Sequence, residues 1–375
     1  MSNPLSLSPI LAALITKRRT AAEIPPSLWG ALIAHAEREG LLPMLVWAVK
    51  TTTPDILKTP ELAAAPAAAV PHTIRSLALR RAQHRLETAL RAAAIPTIWL
   101  KGAALGLTIY PDPALRPMID LDVLVPFEAI EGALRAAEEV GFHLYEGGQG
   151  TLGVIDKAAV AALMHHYQLS DGTLSVEIHF TLVNDPALLS ANGLAWFWMQ
   201  TAQMGGFTIF NPEASLLHLA AHLILHDREQ GLDLRHLLDI HLLVERGIDW
   251  TAAAAGAARL EWTYALERAL QHTQRAFGTI LPESIFITLK NERTASEWAR
   301  QGKLISGVEG VERTARRLGK LSWAARVAFL LRVIIPRQGY IRERYHLPLF
   351  KGYPRYWQHM VGIAWRWLRY RLRRG

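Results

Sequence analysis

Two short stretches of sequence determine the expected fold. The first, IWLKGAA, covers residues 98–104, and the second, IDLDVLV, covers residues 119–125. Side chains alternate between the two faces of a β-strand, so Asp120 and Asp122 are predicted to share one face while the apolar residues pack on the other. Two carboxylates side by side in an apolar strand are costly unless a cation compensates them, and hard divalent ions prefer oxygen ligands. The pair therefore predicts a metal site.

A third acid occurs in a similar context. The stretch LSVEIHF, residues 174–180, places Glu177 and His179 on one face of another short apolar strand. Three carboxylates from two adjacent strands can hold two divalent ions about 3.5–4 Å apart, an arrangement used in phosphoryl and nucleotidyl transfer. His179 is expected either to orient Glu177 and the ions or to be a buried, hydrogen-bonded histidine.

Lys101 and Gly102 fall where the first strand is predicted to turn into a helix. A glycine at a helix N-terminus lets backbone N–H groups approach a phosphate. Lys101 and Arg116 would then supply positive charge for a triphosphate. The alternative for Arg116 is a surface ion pair.

The rest of the chain divides by the periodicity of its apolar residues. Residues 1–94 have helical spacing, and residues 95–183 alternate short β-rich runs with helical patterns. Residues 184–310 are predicted to form a helical domain that closes a cleft, and residues 311–375 a basic, aromatic-rich helical tail. We therefore expect a mixed α+β or α/β protein, with a small α/β core flanked by N-terminal and C-terminal helical regions.

The distribution of charge and the absence of cysteine limit the kinds of function that the chain can have. Residues 311–375 contain 16 Lys and Arg against 2 Asp and Glu, a net charge of +14, so residues 1–310 carry −6. The chain has no cysteine, which excludes disulfides, thiolate metal sites and a Cys nucleophile. Any metal must be held by oxygen or imidazole ligands.

No secretory signal or membrane-spanning segment is expected. The positive charges of the first 20 residues follow the apolar stretch, and no small-residue cleavage site appears. The apolar run Ala324–Pro336 is interrupted by Arg326 and Arg332 and is shorter than the roughly 20 residues a spanning helix needs. The chain is expected to be cytoplasmic, either soluble or in peripheral contact with a membrane.

The order of strand, Lys-Gly turn, helix, Asp-x-Asp strand and later single-acid strand resembles the nucleotidyltransferase superfamily typified by DNA polymerase beta. More narrowly, LKGAALGLTIY, the Arg before IDLDVLV, VEIHF and the later HLAAHLILHD with LLDI resemble the uncharacterised bacterial nucleotidyltransferase family whose motif opens with Leu-Lys-Gly. The resemblance covers about residues 85–245 and implies a polymerase-beta-like core.

The resemblance also implies roles for individual residues. Asp120, Asp122 and Glu177 would be catalytic and would bind Mg²⁺ or Mn²⁺, as two ions. The nucleotide would be bound by Lys101, Gly102 and Arg116. The sequence departs from the superfamily pattern at Ala103, where many members have a serine that contacts phosphate.

The implied reaction is metal-dependent transfer of a nucleoside monophosphate from an NTP, such as ATP, to an acceptor, with release of pyrophosphate. The acceptor would be a hydroxyl- or phosphate-bearing small molecule, peptide or glycan, with RNA as a further candidate, and some family members accompany peptide natural-product or surface-polysaccharide pathways. Two alternatives remain. One is phosphate- or sugar-phosphate-linked tailoring by the same site, and the other is a non-catalytic module that binds RNA or a membrane.

Further cleft residues are expected outside the core motifs. In related two-domain transferases a helical domain closes over the nucleotide, so Arg235 would reach the triphosphate and Asp239 would orient the acceptor. The alternative for both is an ion pair between helices. His166 ends a helix predicted over Asp156–Tyr167, where the helix dipole favours an imidazolium, and is a further cleft candidate.

Two other patterns each leave several interpretations open. His218, His222 and His226 recur every four residues along one helix stripe, which fits helix packing, lining of the cleft or, less well, zinc. The stretch from Arg355 to Arg374 mixes aromatic and basic residues. It would form an amphipathic helix on an anionic membrane, an RNA-binding segment, or a cap on the acidic body with its Trp residues buried.

Overall fold

The computed structural model describes residues 7–144, 164–183, 185, 188–226, 232–299 and 347–372, with single positions at 323, 326, 327, 338 and 341. Four helices precede the first strand: α1 (Leu7–Ile15), α2 (Trp29–Arg38), α3 (Leu42–Thr52) and α4 (Ala65–Ala92). The long helix α4 buries Leu79, Leu86 and Leu90 completely. Its apolar stripe is the surface on which one face of the sheet packs.

A seven-stranded mixed sheet forms the centre of the fold. Its strands are β1 (Ile98–Trp99), β2 (Asp120–Leu124), β3 (His143–Leu144), β4 (His166–Ser170), β5 (Ser175–His179), β6 (Thr201–Met204) and β7 (Phe207–Phe210). They lie in the order β3-β4-β5-β2-β1-β7-β6. Strand β2 pairs antiparallel with β1 and parallel with β5. The mixed α/β fold predicted from the sequence is confirmed.

Helices cover both faces of this sheet. On one face, α4 and α6 (Ile130–Glu139) pack against apolar side chains of β2 and β5. Helix α5 (Lys101–Thr108) follows β1 directly. A second core is formed mainly by helices that come before and after the sheet. The later helices are α7 (Ala191–Met199), α8 (Pro212–Ala221), α9 (Leu234–Arg246), α10 (Trp250–Leu260), α11 (Thr263–Phe277), α12 (Glu283–Asn291) and α13 (Leu349–Leu372).

Helix starts follow the capping residues of the sequence. The Asn211 side chain accepts a hydrogen bond from the Ala214 amide at 2.9 Å, as expected for the start of α8. Asp233 caps α9 in the same way. Helix α8 continues into a π-helical turn, His222–His226, a distortion found frequently at functional sites.

The hairpin of β6 and β7 lies within residues 184–310, the range that the sequence predicts as a helical domain. Strand β7 pairs with β1, so the sheet extends beyond the range 95–183 predicted for the core. All four residues of β6 are exposed, and the strand therefore lacks the alternating pattern that marks a half-buried strand. Gly205 and Gly206, with φ of +57° and +85°, form the two-residue turn.

The helix predicted over Asp156–Tyr167 is wrong at its C-terminal end. His166 and Tyr167 begin β4, which pairs antiparallel with β5. Within β4, Tyr167 and Leu169 are buried while their neighbours are half-buried, which is the period of a strand. The earlier part of the prediction lies outside the described residues.

The described residues include no helix that is both long enough and apolar enough to cross a membrane.

Candidate active site

The site is built on two neighbouring parallel strands. Asp122 on β2 and Glu177 on β5 are direct register partners, and Asp120 stands two residues before Asp122. Residues two apart on a strand point to the same face. The alternate residues Leu121 and Val123 are fully buried in the core on the opposite face. The pattern thus places three carboxylates together on one side of the sheet, as the sequence predicts.

Basic groups contact these carboxylates directly. The Lys101 Nζ donates to Asp122 Oδ1 at 2.8 Å. The His179 Nε2 lies 2.9 Å from the same oxygen and 3.2 Å from Glu177 Oε2. The His166 Nε2 lies 3.6 Å from Glu177 Oε1. The carboxylate cluster is therefore contacted by one ammonium and two imidazoles.

The three carboxyl groups differ in how far nearby positive charge and hydrogen bonds offset the effect of burial on their pKa. Burial, together with the charges of Asp122 and Glu177, raises the pKa of Asp120 to about 7. Burial also acts to raise the pKa of Asp122, but Lys101 and His179 hold that pKa well below its ordinary value. Burial opposes ionisation of Glu177 too, yet the hydrogen bond from His179 lowers its pKa. Of the three acids, Asp120 has the least positive charge nearby to offset its burial.

The pKa values of the basic partners are also shifted from their ordinary values. Burial disfavours charge on His179, but its hydrogen bonds to Asp122 and Glu177 raise its pKa overall. Burial likewise opposes the charge of Lys101, and the nearby carboxylates more than reverse this effect on its pKa. His166 behaves differently, because burial and the neighbouring His179 lower its pKa to about 4. His166 is therefore a neutral imidazole near pH 7.

The turn into α5 brings backbone and side chains close together. Lys101 has φ of +42°, a left-handed conformation that costs free energy in a residue other than glycine and that clusters at functional sites. At Gly102 a Cβ atom would lie 2.8 Å from Met118 Cγ and 2.9 Å from Arg116 Nη1. Glycine is therefore required here by packing.

Arg116 is held by a buried carboxylate from α9. Its Nε and Nη2 donate to the two carboxylate oxygens of Asp239 at 3.2 and 2.7 Å, and its Nη1 donates to the Pro117 carbonyl at 2.8 Å. The Tyr110 hydroxyl donates to the same Asp239 at 2.7 Å. Burial and the Asp239 charge raise the pKa of Tyr110 well above its ordinary value.

The acids of β2 and β5, the turn into α5 and Arg116 surround a cavity of about 260 Å³. Its lining contains three acids, three Lys or Arg side chains and four histidines, together with one glycine and one isoleucine. Its lining residues are Lys101, Gly102, Arg116, Ile119, Asp120, Asp122, His165, His166, Glu177, His222, Arg235 and His236. The Arg235 guanidinium reaches Asp233 at 3.2 Å and the Pro117 carbonyl at 3.5 Å. The cavity can therefore hold both a cation and a polyanion.

Two groups of side chains in the described residues offer ligand atoms that lie within 4.8 Å of one another. One group is Asp122, Glu177 and His179, and the other is His165, His166 and His179. The stripe of His218 and His222 does not form such a group in the described part of the chain. His218 is buried beside the Phe210 ring, and His222 lines the cavity. Packing and cleft lining therefore account for these two histidines.

A comparison with known protein families identifies the family to which this chain belongs. Residues 25–278 match the family described as "Uncharacterised nucleotidyltransferase". The chain belongs to this family. This nucleotidyltransferase accordingly uses an NTP and an acceptor, and the resemblance inferred from the Leu-Lys-Gly and Asp-x-Asp motifs is confirmed. Enzymes of this class generally use divalent metal ions.

Other comparisons add little to the family assignment. The nucleotidyltransferase is similar to the solution structure of the antibiotic-resistance factor ANT(2'')-Ia, with 14% sequence identity and a TM-score of 0.35. The similarity covers 52% of this chain and 99% of that chain. No curated protein matches the sequence.

Most of the residues predicted for the nucleotidyltransferase site line the cavity, with two exceptions. His179 lies beneath it, in contact with Asp122 and Glu177. Asp239 is fully buried behind Arg116 and is absent from the cavity lining. Its carboxylate binds Tyr110 and Arg116, and because Arg116 is not in a helix, this ion pair differs from the interhelical one that the sequence offers as the alternative.

Sequence reasoning missed three parts of the nucleotidyltransferase site. Tyr110 ends the LKGAALGLTIY motif, but nothing local indicates that its hydroxyl meets Asp239. His236 lines the cavity one residue after Arg235. Arg80 on α4 donates to the carbonyls of Gly102 and Ala103. Its neighbours one turn away on α4 include Ser76, Gln83 and His84, so no apolar stripe marked Arg80 as a buried charge.

Proposed function

We propose that this nucleotidyltransferase moves a nucleoside monophosphate from an NTP, with ATP as the first candidate, to a hydroxyl- or phosphate-bearing acceptor. An acceptor oxygen would attack the α-phosphorus. The bond from that phosphorus to the bridging oxygen would break, and pyrophosphate would leave with the electron pair. The single observation that carries the proposal is the side-by-side pairing of Asp122 and Glu177, with Asp120 on the same strand.

The donor set fits a hard divalent cation such as Mg²⁺ or Mn²⁺. Asp120, Asp122 and Glu177 offer carboxylate oxygens, the ligands that these ions prefer. The raised pKa of Asp120, about 7, is the behaviour of a carboxylate that lacks enough positive charge nearby. When bound, two such ions would neutralise the carboxylates and stabilise charge on the reacting phosphate.

We assign the triphosphate to the basic part of the cavity. Lys101 and Arg235 both line it. The Arg235 guanidinium also donates to Asp233 at 3.2 Å, so it is held in place at the cavity. Further donors would have to be the first two amides of α5, because those of Ala103 and Ala104 already donate to the Leu100 carbonyl.

Arg116 would bind the nucleotide from a fixed position. Its guanidinium lies over Gly102 and lines the cavity, while Asp239 holds two of its nitrogens. A guanidinium held in one orientation loses little side-chain entropy when a phosphate binds. Asp239 would therefore act through Arg116 as a positioning residue.

One carboxylate of the triad would accept the proton of an acceptor hydroxyl. His179 would keep Asp122 and Glu177 in place through its hydrogen bonds and is not itself in the cavity lining. An acceptor that reacts through an ionised phosphate has no proton to remove. The pH profile of the reaction would then differ between the two acceptor classes.

The test uses the purified full-length chain with Mg²⁺ and each NTP. Isothermal titration measures nucleotide binding, and pyrophosphate release measures turnover. Asp120→Asn combined with Asp122→Asn should reduce turnover by at least about a thousandfold, since the cation ligands are lost. Glu128→Gln, an exposed acid on the same core, should leave turnover unchanged.

Two outcomes would contradict the proposal. One is unchanged turnover in the folded double variant, with the fold verified by circular dichroism. The other is release of ADP instead of pyrophosphate, which would assign the site to phosphoryl transfer and favour phosphate-linked tailoring.

A further inference from the structure

Helix α13 carries an apolar stripe that is exposed to solvent. The side chains of Phe350, Trp357, Val361 and Trp365 are 74%, 40%, 64% and 53% exposed. Their spacing of seven, four and four residues aligns them along one side of the helix. Four large apolar groups in one line on a surface are unusual for a monomer without a partner.

Another side of the same helix is covered by neighbouring residues. Tyr356 is only 3% exposed, and Gly352 packs against the fully buried Ile341. The interpretation in which the tail caps the body with its Trp residues buried is therefore wrong for Trp357 and Trp365. The stripe of Phe350, Trp357, Val361 and Trp365 is the part of α13 that remains exposed to solvent.

The charge of the helix indicates the chemistry of that occupant. The sequence of α13 contains five Lys and Arg and no Asp or Glu. Lys351 and Arg355 are exposed and lie beside the apolar stripe. An anionic surface attracts each nearby basic residue, which strengthens binding roughly fivefold per charge. The partner is therefore expected to be negatively charged and apolar beneath its surface.

We propose that α13 lies on the surface of a membrane that contains anionic lipids. Phe350, Trp357, Val361 and Trp365 would enter the boundary between headgroups and acyl chains, where Trp is favoured. Lys351 and Arg355 would remain at the level of the phosphates. The helix is about 36 Å long, and its charged side keeps it in the plane of the membrane.

An RNA partner fits this arrangement less well. RNA-binding surfaces combine basic groups with aromatic rings on which bases stack. Here the stripe includes the aliphatic Val361, and the exposed Lys351 and Arg355 lie next to the stripe and not within it. This inference rests on α13 alone and does not depend on the proposed nucleotidyl transfer.

Vesicle co-sedimentation of the full-length chain tests the proposal. Vesicles of phosphatidylcholine alone are compared with vesicles containing one quarter phosphatidylglycerol. Binding is expected to require the anionic lipid and to weaken as salt increases. Trp357→Ala with Trp365→Ala should lower the partition coefficient about tenfold or more, because two large apolar groups no longer leave water.

The controls match each part of the surface. Ile280→Ala with Ile287→Ala removes two exposed apolar side chains from the body, 85% and 62% exposed, and should leave binding unchanged. Lys351→Gln with Arg355→Gln should weaken binding to anionic vesicles by about an order of magnitude. Circular dichroism checks that each variant is folded.

Three results would overturn the proposal. The first is equal sedimentation of the folded double-Trp variant and the unchanged chain. The second is absence of binding to anionic vesicles. The third is RNA binding in a gel-shift assay, lost in the double-Trp variant, without vesicle binding, which would assign the stripe to RNA.

Discussion

Arg116 and Asp239, 123 residues apart in the sequence, form a buried two-point ion pair. The Nε and Nη2 of Arg116 lie 3.2 and 2.7 Å from the two carboxylate oxygens. Their side chains are 6% and 0% exposed. Because Arg116 precedes β2 and Asp239 lies in α9, the pair joins the α/β core to the helices that follow it. The same contact fixes the basic wall of the cavity.

Asp239→Ala should therefore destabilise the protein by about 3–5 kcal/mol, since it leaves a buried guanidinium without its counter-charge. The free energy of unfolding is measured by chemical denaturation followed by circular dichroism. Asp55→Ala is the matched control, because it breaks an ion pair with Lys58 in which both side chains are more than four-fifths exposed. That control should leave stability nearly unchanged. Equal effects of the two substitutions would contradict the role assigned to the pair.

Gly102→Ala should disturb the basic wall through packing alone. The new methyl group would meet Met118 and Arg116 at less than 3 Å, so the guanidinium must move. We expect a loss of about 1–3 kcal/mol in stability and a loss of nucleotide affinity. Gly30→Ala, which has no atom within 4 Å of its added Cβ and lies in α2, should instead gain up to about 1 kcal/mol from helix propensity. Unaltered nucleotide binding in Gly102→Ala would argue against a close approach of phosphate to this turn.

Lys101→Met should make the protein more dependent on a divalent cation. The substitution removes the ammonium that contacts Asp122 at 2.8 Å and leaves the carboxylates to repel one another. The thermal midpoint without metal should fall by several degrees, and Mg²⁺ should raise that midpoint more in the variant than in the unchanged chain. Lys50→Met, on the exposed side of α3, serves as the control. Equal stabilisation by Mg²⁺ in all three proteins would show that Lys101 does not offset the negative charge of the carboxylates at the cation site.

Buried histidines should make the protein less stable in mild acid. His241 stacks on the Phe277 ring and bonds to Thr279, and burial lowers its pKa below the ordinary value of 6.5. The unfolded chain therefore takes up a proton first as pH falls. The stabilising contribution is complete above about pH 6.5 and is lost as pH falls below it toward the lower pKa of the folded state.

His241→Gln should accordingly reduce the slope of unfolding free energy against pH below about pH 6.5. The slope is the readout, because the absolute stability also changes with packing. The control is His143→Gln, at an exposed position of β3, and its slope should equal that of the unchanged chain. Identical slopes for all three proteins would refute the assignment.

The sequence by itself determined the strands that carry the acids and the face on which the acids lie. Alternation of apolar and charged residues is a local property, so Asp120 and Asp122 could be placed on one face before any partner strand was known. Helix starts were equally local, as the capping contact of Asn211 illustrates. The similar apolar context of Glu177 added the expectation that it belongs to the same group.

The tertiary structure decided which groups meet across the chain. No local pattern indicates that Arg116 pairs with Asp239, that Tyr110 shares this carboxylate, or that Lys101 contacts Asp122. These contacts depend on how elements that are distant in sequence pack together. The strength of each ion pair depends on its burial, which a local sequence pattern does not contain. The exposed stripe of α13 is a similar case, because periodicity shows an apolar side but only packing decides whether it is covered.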